Sequence, residues 1–206
     1  MTLDQQRRRI LRIAEEQFAA TGLASTATAS IAKAARLPEE FLHLHFGTGR
    51  ELFEEVVTRN SRTRLAALQK QLLSIADTPP LECIERMAES TILSCVDPVG
   101  NATVMSWALM ETPDFAADIY RAEIGATEAL WDGEIRRRFG DSPVRCRLAV
   151  HLVPYAAHAC MAFGLWLATL HHKPATAKAH ASQYAAGIRN AAIAVLTAPP
   201  GSSRAA

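Results

Sequence analysis

The stretch from Thr26 to Leu52, TATASIAKAARLPEEFLHLHFGTGREL, restricts what this chain can become more than any other. Two short helical patterns follow one another in it, each too small to bury a core alone. Ile31, Ala32 and Ala35 fall on one face of the first, with Thr26 or Thr28 placed to cap its N-terminus. Arg36-Leu37 makes the break, and Pro38 suits the first turn of the next helix, where its missing N–H costs nothing. Leu42 and Phe46 then repeat at i, i+4, and Gly47 ends that helix. Thr48-Gly-Arg-Glu51 has the spacing of a capping box for a third helix. Helix, tight turn, helix, then a long helix leading away is the layout of a helix-turn-helix reader of DNA.

The rest of the chain reads as further helices. Thr2-Leu-Asp-Gln5 can cap a first helix with Ile10, Ile13, Ala14 and Phe18 as its inner stripe. Arg7, Arg8, Arg9 and Arg12 lie outside that stripe, either as a solvated helix start or as a basic arm that grips phosphates. A long helix runs from Thr48 to about Ala76 and stops at Asp77-Thr-Pro-Pro, with a domain boundary expected inside it. Leu81–Val96 follows, closed by Asp97-Pro-Val-Gly-Asn101, and then Thr103–Thr112, broken by Pro113. A polar-faced helix extends to Phe139 and Gly140. Ser142 caps a long apolar helix to Leu170, with a kink expected at Pro154, and Pro174 opens a last helix to about Thr197. Pro199–Ala206 reads as a frayed tail. No period-2 alternation occurs, so the expected class is all-α.

Net charge is only +1, so no bulk basic field advertises nucleic acid. The first 64 residues carry 10 Lys/Arg against 8 Asp/Glu, which permits DNA binding without arguing for it. Cys83, Cys95, Cys146 and Cys160 are scattered without a CxxC pair and read as reduced cytoplasmic thiols. The N-terminus has charge but no apolar core of a signal peptide, which points to a cytoplasmic protein. Leu148–Leu170 is long enough to span a bilayer but contains His151, Pro154 and His158, and a buried interface helix is the better reading.

The spaced residues Ile31-Ala32, Ala34-Ala35, Leu42, His45-Phe46 and Glu51-Leu52 resemble the DNA-binding domain of TetR-family (tetracycline-repressor-like) transcriptional regulators. Ile10-Leu11, Ala14, Phe18, Gly22 and Thr26 match that family's first helix and its exit. The resemblance implies a helix-turn-helix domain over residues 1–50, a helical effector-binding and dimerisation domain over 51–198, and a tail over 199–206. It places Thr28, Arg36, Glu39, Glu40, Phe41, His43, His45, Thr48 and Arg50 at the DNA face. Several of these depart from the family pattern. Arg36 stands where Gly is usual, Pro38 where Ser is usual, Phe41 where a small residue is usual, His43 for Tyr and Gly49 for Lys. With Glu39 and Glu40 in the first turn of the reading helix, DNA binding is expected to be weak or unusually selective.

Ala156, Ala157, Cys160 and Gly164, and Ala181, Ala185, Ile188, Ala192 and Leu196, recur at i+3/i+4 along the last two helices. Such small faces either meet a second chain or form the intramolecular core. Two-fold reading of half-sites favours the dimer, and the resemblance implies one built on these helices. For an effector, Met105, Trp107, Met110, Tyr120, Trp131, His151, Tyr155, His158 and Trp166 supply aromatic and soft apolar walls with a few polar tips, unless they simply fill a core.

The enzyme reading has no GxSxG, Walker A, GxGxxG or HExxH to stand on. His151, Tyr155 and His158 share a helix face, but core or pocket histidines are commoner than metal ligands, and no metal or cofactor is expected. The expected function is a homodimeric, non-enzymatic repressor released from a double-stranded operator by a small, largely apolar effector. The alternative is a ligand-binding or scaffold protein on the same fold with a weakened DNA-binding head.

Overall fold

A computed structural model describes residues 2–75, 77–96, 101–144, 148, 152–170 and 174–197. Among them no strand occurs. The helices are α1 Leu3–Thr21, α2 Thr28–Ala35, α3 Glu39–Phe46, α4 Gly49–Ser74, α5 Pro80–Cys95, α6 Asn101–Glu111, α7 Pro113–Phe139, α8 Val153–Leu170 and α9 Pro174–Thr197. The expected stop at 97–100, the tail at 199–206 and His151 lie outside the described residues.

Two compact units form, Met1–Arg64 with Asp97–Ala122, and Leu65–Val96 with Glu123–Ala206. The divisions fall inside α4 and inside α7. This differs from the expected 1–50 and 51–198, because α6 and the start of α7 join the first unit.

In that unit α1 opens with the expected capping box. The Gln5 amide donates to the Thr2 hydroxyl and the Thr2 amide donates to the Gln5 side chain at 2.8 Å. Its buried stripe is Ile10, Ile13, Ala14 and Phe18, joined by Leu11 and Glu15. Gly22 ends it at φ 75°, and a Cβ there would stand 2.8 Å from Trp107 and from Glu111. Those two side chains explain why α6 sits with this unit. The Trp107 indole donates to the carbonyl of Ala19 at 3.2 Å, and the Glu111 carboxylate accepts from the amide of Leu23 at 2.6 Å. Carbonyls and amides left over at the end of α1 are thereby satisfied from another helix.

The second unit is built around α5. Cys83, Ile84, Met87, Ala88, Ile92 and Cys95 form its buried ridge, and α8 and α9 lie against it. The small faces of these last two helices meet that ridge. Ala156, Ala157, Cys160, Ala181, Ala185 and Ala192 are all buried within the chain's own core. Of the two readings of the small residues, the intramolecular one therefore holds, since bulky α5 side chains need small partners to reach interior packing density. The closest approach is at Gly164, whose Cβ would meet the Ile92 carbonyl at 2.7 Å and the Cys95 Cβ at 2.8 Å. At the other end, the Arg138 guanidinium donates to the carbonyls of Ile75 and Thr78, where α4 runs out.

Cys83, Cys95 and Cys160 are free and buried. Burial, and then the nearby Cys95, pushes the Cys160 thiol well above its ordinary range. No helix among the described residues is long and apolar enough to cross a membrane.

Replacing Gly164 by Ala should destabilise the second unit by about 1–3 kcal/mol, the usual effect of forcing a methyl into a filled core against backbone. Urea unfolding followed by Trp fluorescence measures this. Gly133→Ala, with open space at its Cβ, serves as the control and should be neutral or slightly stabilising.

Candidate nucleic-acid interface

The head is assembled by a sharp turn between two eight-residue helices. α2 starts after Ala27 without a side-chain cap, so neither expected threonine fills that role. Thr26 turns its hydroxyl back to the Gly22 carbonyl at 2.6 Å. Thr28 donates at 2.6 Å to the Glu39 carboxylate, linking the first residue of α2 to the first of α3. α2 ends in a Schellman motif, with Arg36 N–H on the Lys33 carbonyl and Leu37 N–H on the Ala32 carbonyl, both at 3.1 Å. Arg36 takes the left-handed conformation this closure demands, φ 55° and ψ 46°, as the one non-glycine residue to do so among those described. A side chain in that conformation costs on the order of 1 kcal/mol relative to Gly. Pro38 is extended at the N-cap, one residue earlier than expected, and Gly47 ends α3 at φ 76°.

Leu42 and Phe46 turn α3's buried side into the head, which also holds Ile31, Ala32, Ala35 and an edge-on pair, Phe18 and Phe53, at 5.0 Å. Arg7 locks α3 from outside. Its guanidinium lies 4.4 Å over the Phe46 ring, donates to the His45 carbonyl at 2.8 Å and pairs with Glu55. Glu15, buried, accepts from Arg59 at 3.2 Å and from Asn60 at 3.3 Å, tying α1 to α4. The Thr48–Glu51 capping box forms as expected, Thr48 N–H to the carboxylate at 2.7 Å and Glu51 N–H to the hydroxyl at 3.2 Å. The Thr48 amide, and then its hydroxyl, hold the Glu51 carboxyl below the ordinary carboxylate range.

The opposite side of α3 faces solvent through Glu40, His43 and Leu44. The His43 ring donates to the Gly47 carbonyl at 3.0 Å, with its other nitrogen 3.6 Å from Glu39. Phe41 and His45 are half-buried and lie ring against ring at 4.2 Å. Leu44 is 79% exposed and stands diametrically across the helix from the Leu42–Phe46 stripe.

Of the residues expected at the DNA face, Thr28 and Glu39 are engaged with each other, Thr48 is a cap, and Arg50 pairs with Glu54 at 2.9 Å. Arg36, Glu40 and His43 remain exposed. The Arg7–Arg12 run lies within α1; Arg7 is half-buried against α3 and Glu55, Arg12 pairs with Glu16 at 2.5 Å, and Arg8 is exposed. Arg8, Lys33, Arg36 and Arg62 are exposed and make no ion pair among the described residues. One exposed residue of α3 escaped the sequence reading, Leu44, and the role of Arg7 in holding α3 was not foreseen. The signal for Leu44 was present: a large apolar side chain two positions from both Leu42 and Phe46 cannot share their face.

The expected effector walls divide between the units. Met105, Trp107, Met110 and Tyr120 belong to the first, and Trp131, Tyr155, His158 and Trp166 to the second. Trp107 fastens α6 to α1. Trp131 is fully buried and donates to the Thr91 hydroxyl at 3.0 Å, which makes it a core residue of its unit. Tyr155 and Met110 are largely exposed. Trp166 borders an open groove of about 610 Å³ between α8 and α9, with Phe163 and Tyr184 stacked at 4.2 Å and His180 and Gly187 opposite.

An all-helical chain with a helix-turn-helix head whose reading helix keeps a free outer face belongs to the architecture of DNA-binding regulators. Residues 10–56 match the family described as "Bacterial regulatory proteins, tetR family". Solved structures share the fold over nearly their whole length. The TetR-family regulator PfmR of Thermus thermophilus superposes with TM-score 0.66 at 21% identity, covering 88% of this chain and 97% of that one. A tetR-family regulatory protein of Rhodococcus RHA1 gives 0.67 at 18%, covering 92% and 97%. GusR of Salmonella enterica gives 0.66 at 20%, covering 96% and 98%. No curated protein matches the chain by sequence. The fold is thus that of TetR-family transcriptional regulators, with a TetR-type helix-turn-helix domain at the N-terminus.

Arg36→Gly separates the two roles of that position. Relief of the left-handed side chain should raise the stability of the head by about 1 kcal/mol in thermal unfolding. Loss of an exposed cation should weaken DNA binding and reduce the slope of log affinity against log salt by about one unit.

Proposed function

We propose that this protein is a homodimeric, DNA-binding transcriptional repressor of the cytoplasm, released from its operator by a small, largely apolar effector. The observation that carries the reading is the helix-turn-helix over residues 10–56 together with the free outer face of α3. Arg8, Lys33, Arg36 and Arg62 supply the attraction to phosphates, and their small number implies a shallow dependence on salt. Two heads are needed to read two half-sites about 34 Å apart.

The dimer surface consists of the sides of α8 and α9 that α5 leaves uncovered. Tyr155 and Trp166 are 73% and 54% exposed, and Gly187, Ala191 and Ala194 give α9 a small outer face. Large aromatic side chains beside small ones are the complementary material of a close helix interface. Effector binding favours a packing of the C-terminal region in which the two heads no longer match the half-site spacing.

A second reading, a ligand-binding protein with a weakened head, draws on the acidic first turn of α3, where Glu39 and Glu40 sit. Gel shifts against selected genomic fragments decide between them. Specific binding at physiological salt, lost on addition of a hit from a Trp-fluorescence screen of hydrophobic compounds, supports the repressor. Binding of such compounds without any specific duplex supports the second reading.

Trp166→Glu and Gly187→Glu should each shift sedimentation from dimer to monomer and abolish cooperative operator binding. Ala185→Glu, placing a charge in the α5 seam, should lower the unfolding midpoint instead.

A further inference from the structure

We infer that α3 selects a pyrimidine-bearing strand, with Leu44 against the C5-methyl of a thymine and Glu40 accepting from the N4 amino group of a cytosine. This rests on the DNA-reading function proposed above and gives it a sequence preference. Glu40 and Leu44 stand at i, i+4 on the outer face of α3, opposite the buried Leu42 and Phe46. They are the two residues there with no other engagement. Glu39 is held by Thr28, and His43 turns its ring to Gly47 and Glu39. Phe41 and His45 lie against each other on the flank. Neither Glu40 nor Leu44 has a hydrogen bond, ion pair or ring contact among the described residues.

The chemistry of the groove then narrows the choice. Phosphates repel the Glu40 carboxylate and offer nothing to an isobutyl group. The apolar feature of the major groove is the thymine methyl, which is what a leucine exposed over 79% of its surface can cover. A carboxylate needs a donor. Guanine presents two acceptors there, thymine one, and adenine sets its N7 acceptor beside its amino group. Cytosine offers the N4 donor and carries no major-groove acceptor of its own, so it is the base that suits Glu40. One helical turn separates the two side chains by about 6 Å, against about 3.4 Å per base step, so the cytosine and thymine lie one or two steps apart.

Selection of duplexes from a random library, with the intact protein at low salt, should enrich half-sites carrying C and T within two steps on one strand. Replacing that thymine by deoxyuridine, which removes the methyl alone, should weaken wild-type binding about fourfold, the equivalent of one buried methyl group. The same change should leave Leu44→Ala unaffected, and circular dichroism confirms that this exposed substitution keeps the head folded. Glu40→Gln should move the selected base from C toward A, since a carboxamide can pair with both N6 and N7. Enriched sites without the C–T pair, or an equal uracil effect in wild type and Leu44→Ala, overturn the inference while leaving the DNA-binding reading intact. A library from which nothing is enriched overturns both.

Discussion

The left-handed turn at Arg36 is the constraint on which the head depends. Two eight-residue helices have too few buried residues to define their own crossing, so the three residues between them must do it. The Schellman hydrogen bonds from Arg36 and Leu37 end α2, and Pro38, extended and lacking an N–H, prevents its continuation. The chain accepts an unfavourable backbone conformation at Arg36 and keeps a cation there. That combination places positive charge at the corner of a motif whose reading helix begins with two carboxylates. Once the turn is set, Leu42 and Phe46 face inward, and Glu40 and Leu44 necessarily face out.

Around the turn, charged groups hold the head as much as apolar ones do. Arg7 covers Phe46 and grips the end of α3, while Glu15 reaches α4 from the buried side of α1. Both side chains extend polar tips along apolar surface to partners far away in sequence. Glu111 and Trp107 do the same for the exit of α1, and their reach explains why α6 is part of this unit. The consequence for function is that few cations of the head remain available for phosphates.

In the second unit the controlling feature is the contrast in side-chain size between α5 and the helices against it. Gly164 and the alanines of α8 and α9 bring those helices onto the α5 ridge, and Trp131 fills the centre with its indole satisfied by Thr91. Aromatic groups excluded from this seam, such as Trp166, remain at the surface beside the groove. Size complementarity therefore consumes one face of α8 and α9 and leaves the other exposed.

Helix limits were legible from sequence because the breaking residues act locally. Pro113, Gly140 and Pro174 stand where the backbone loses a hydrogen bond or needs a conformation that only glycine adopts easily, and α7 and α9 end or begin beside them. The buried stripes of α1 and α3, the capping boxes at Thr2 and Thr48, and the helix-turn-helix layout are equally local and followed from spacing. What spacing cannot contain is the identity of the partner. Periodicity assigned Ala185 and Ala192 to one face but not to α5 rather than another chain. Composition grouped Trp107 with Trp131 although they serve different units. Arg7, Glu39 and Thr28 looked like available DNA contacts until tertiary structure brought their partners, up to 48 positions away, within hydrogen-bonding distance. The sequence by itself determined where α1 to α7 and α9 lie and which side of α1 and α3 is apolar, because those depend on neighbours within a turn. Tertiary structure alone decided which polar side chains remain free for a ligand, because long side chains reach whatever the fold places beside them.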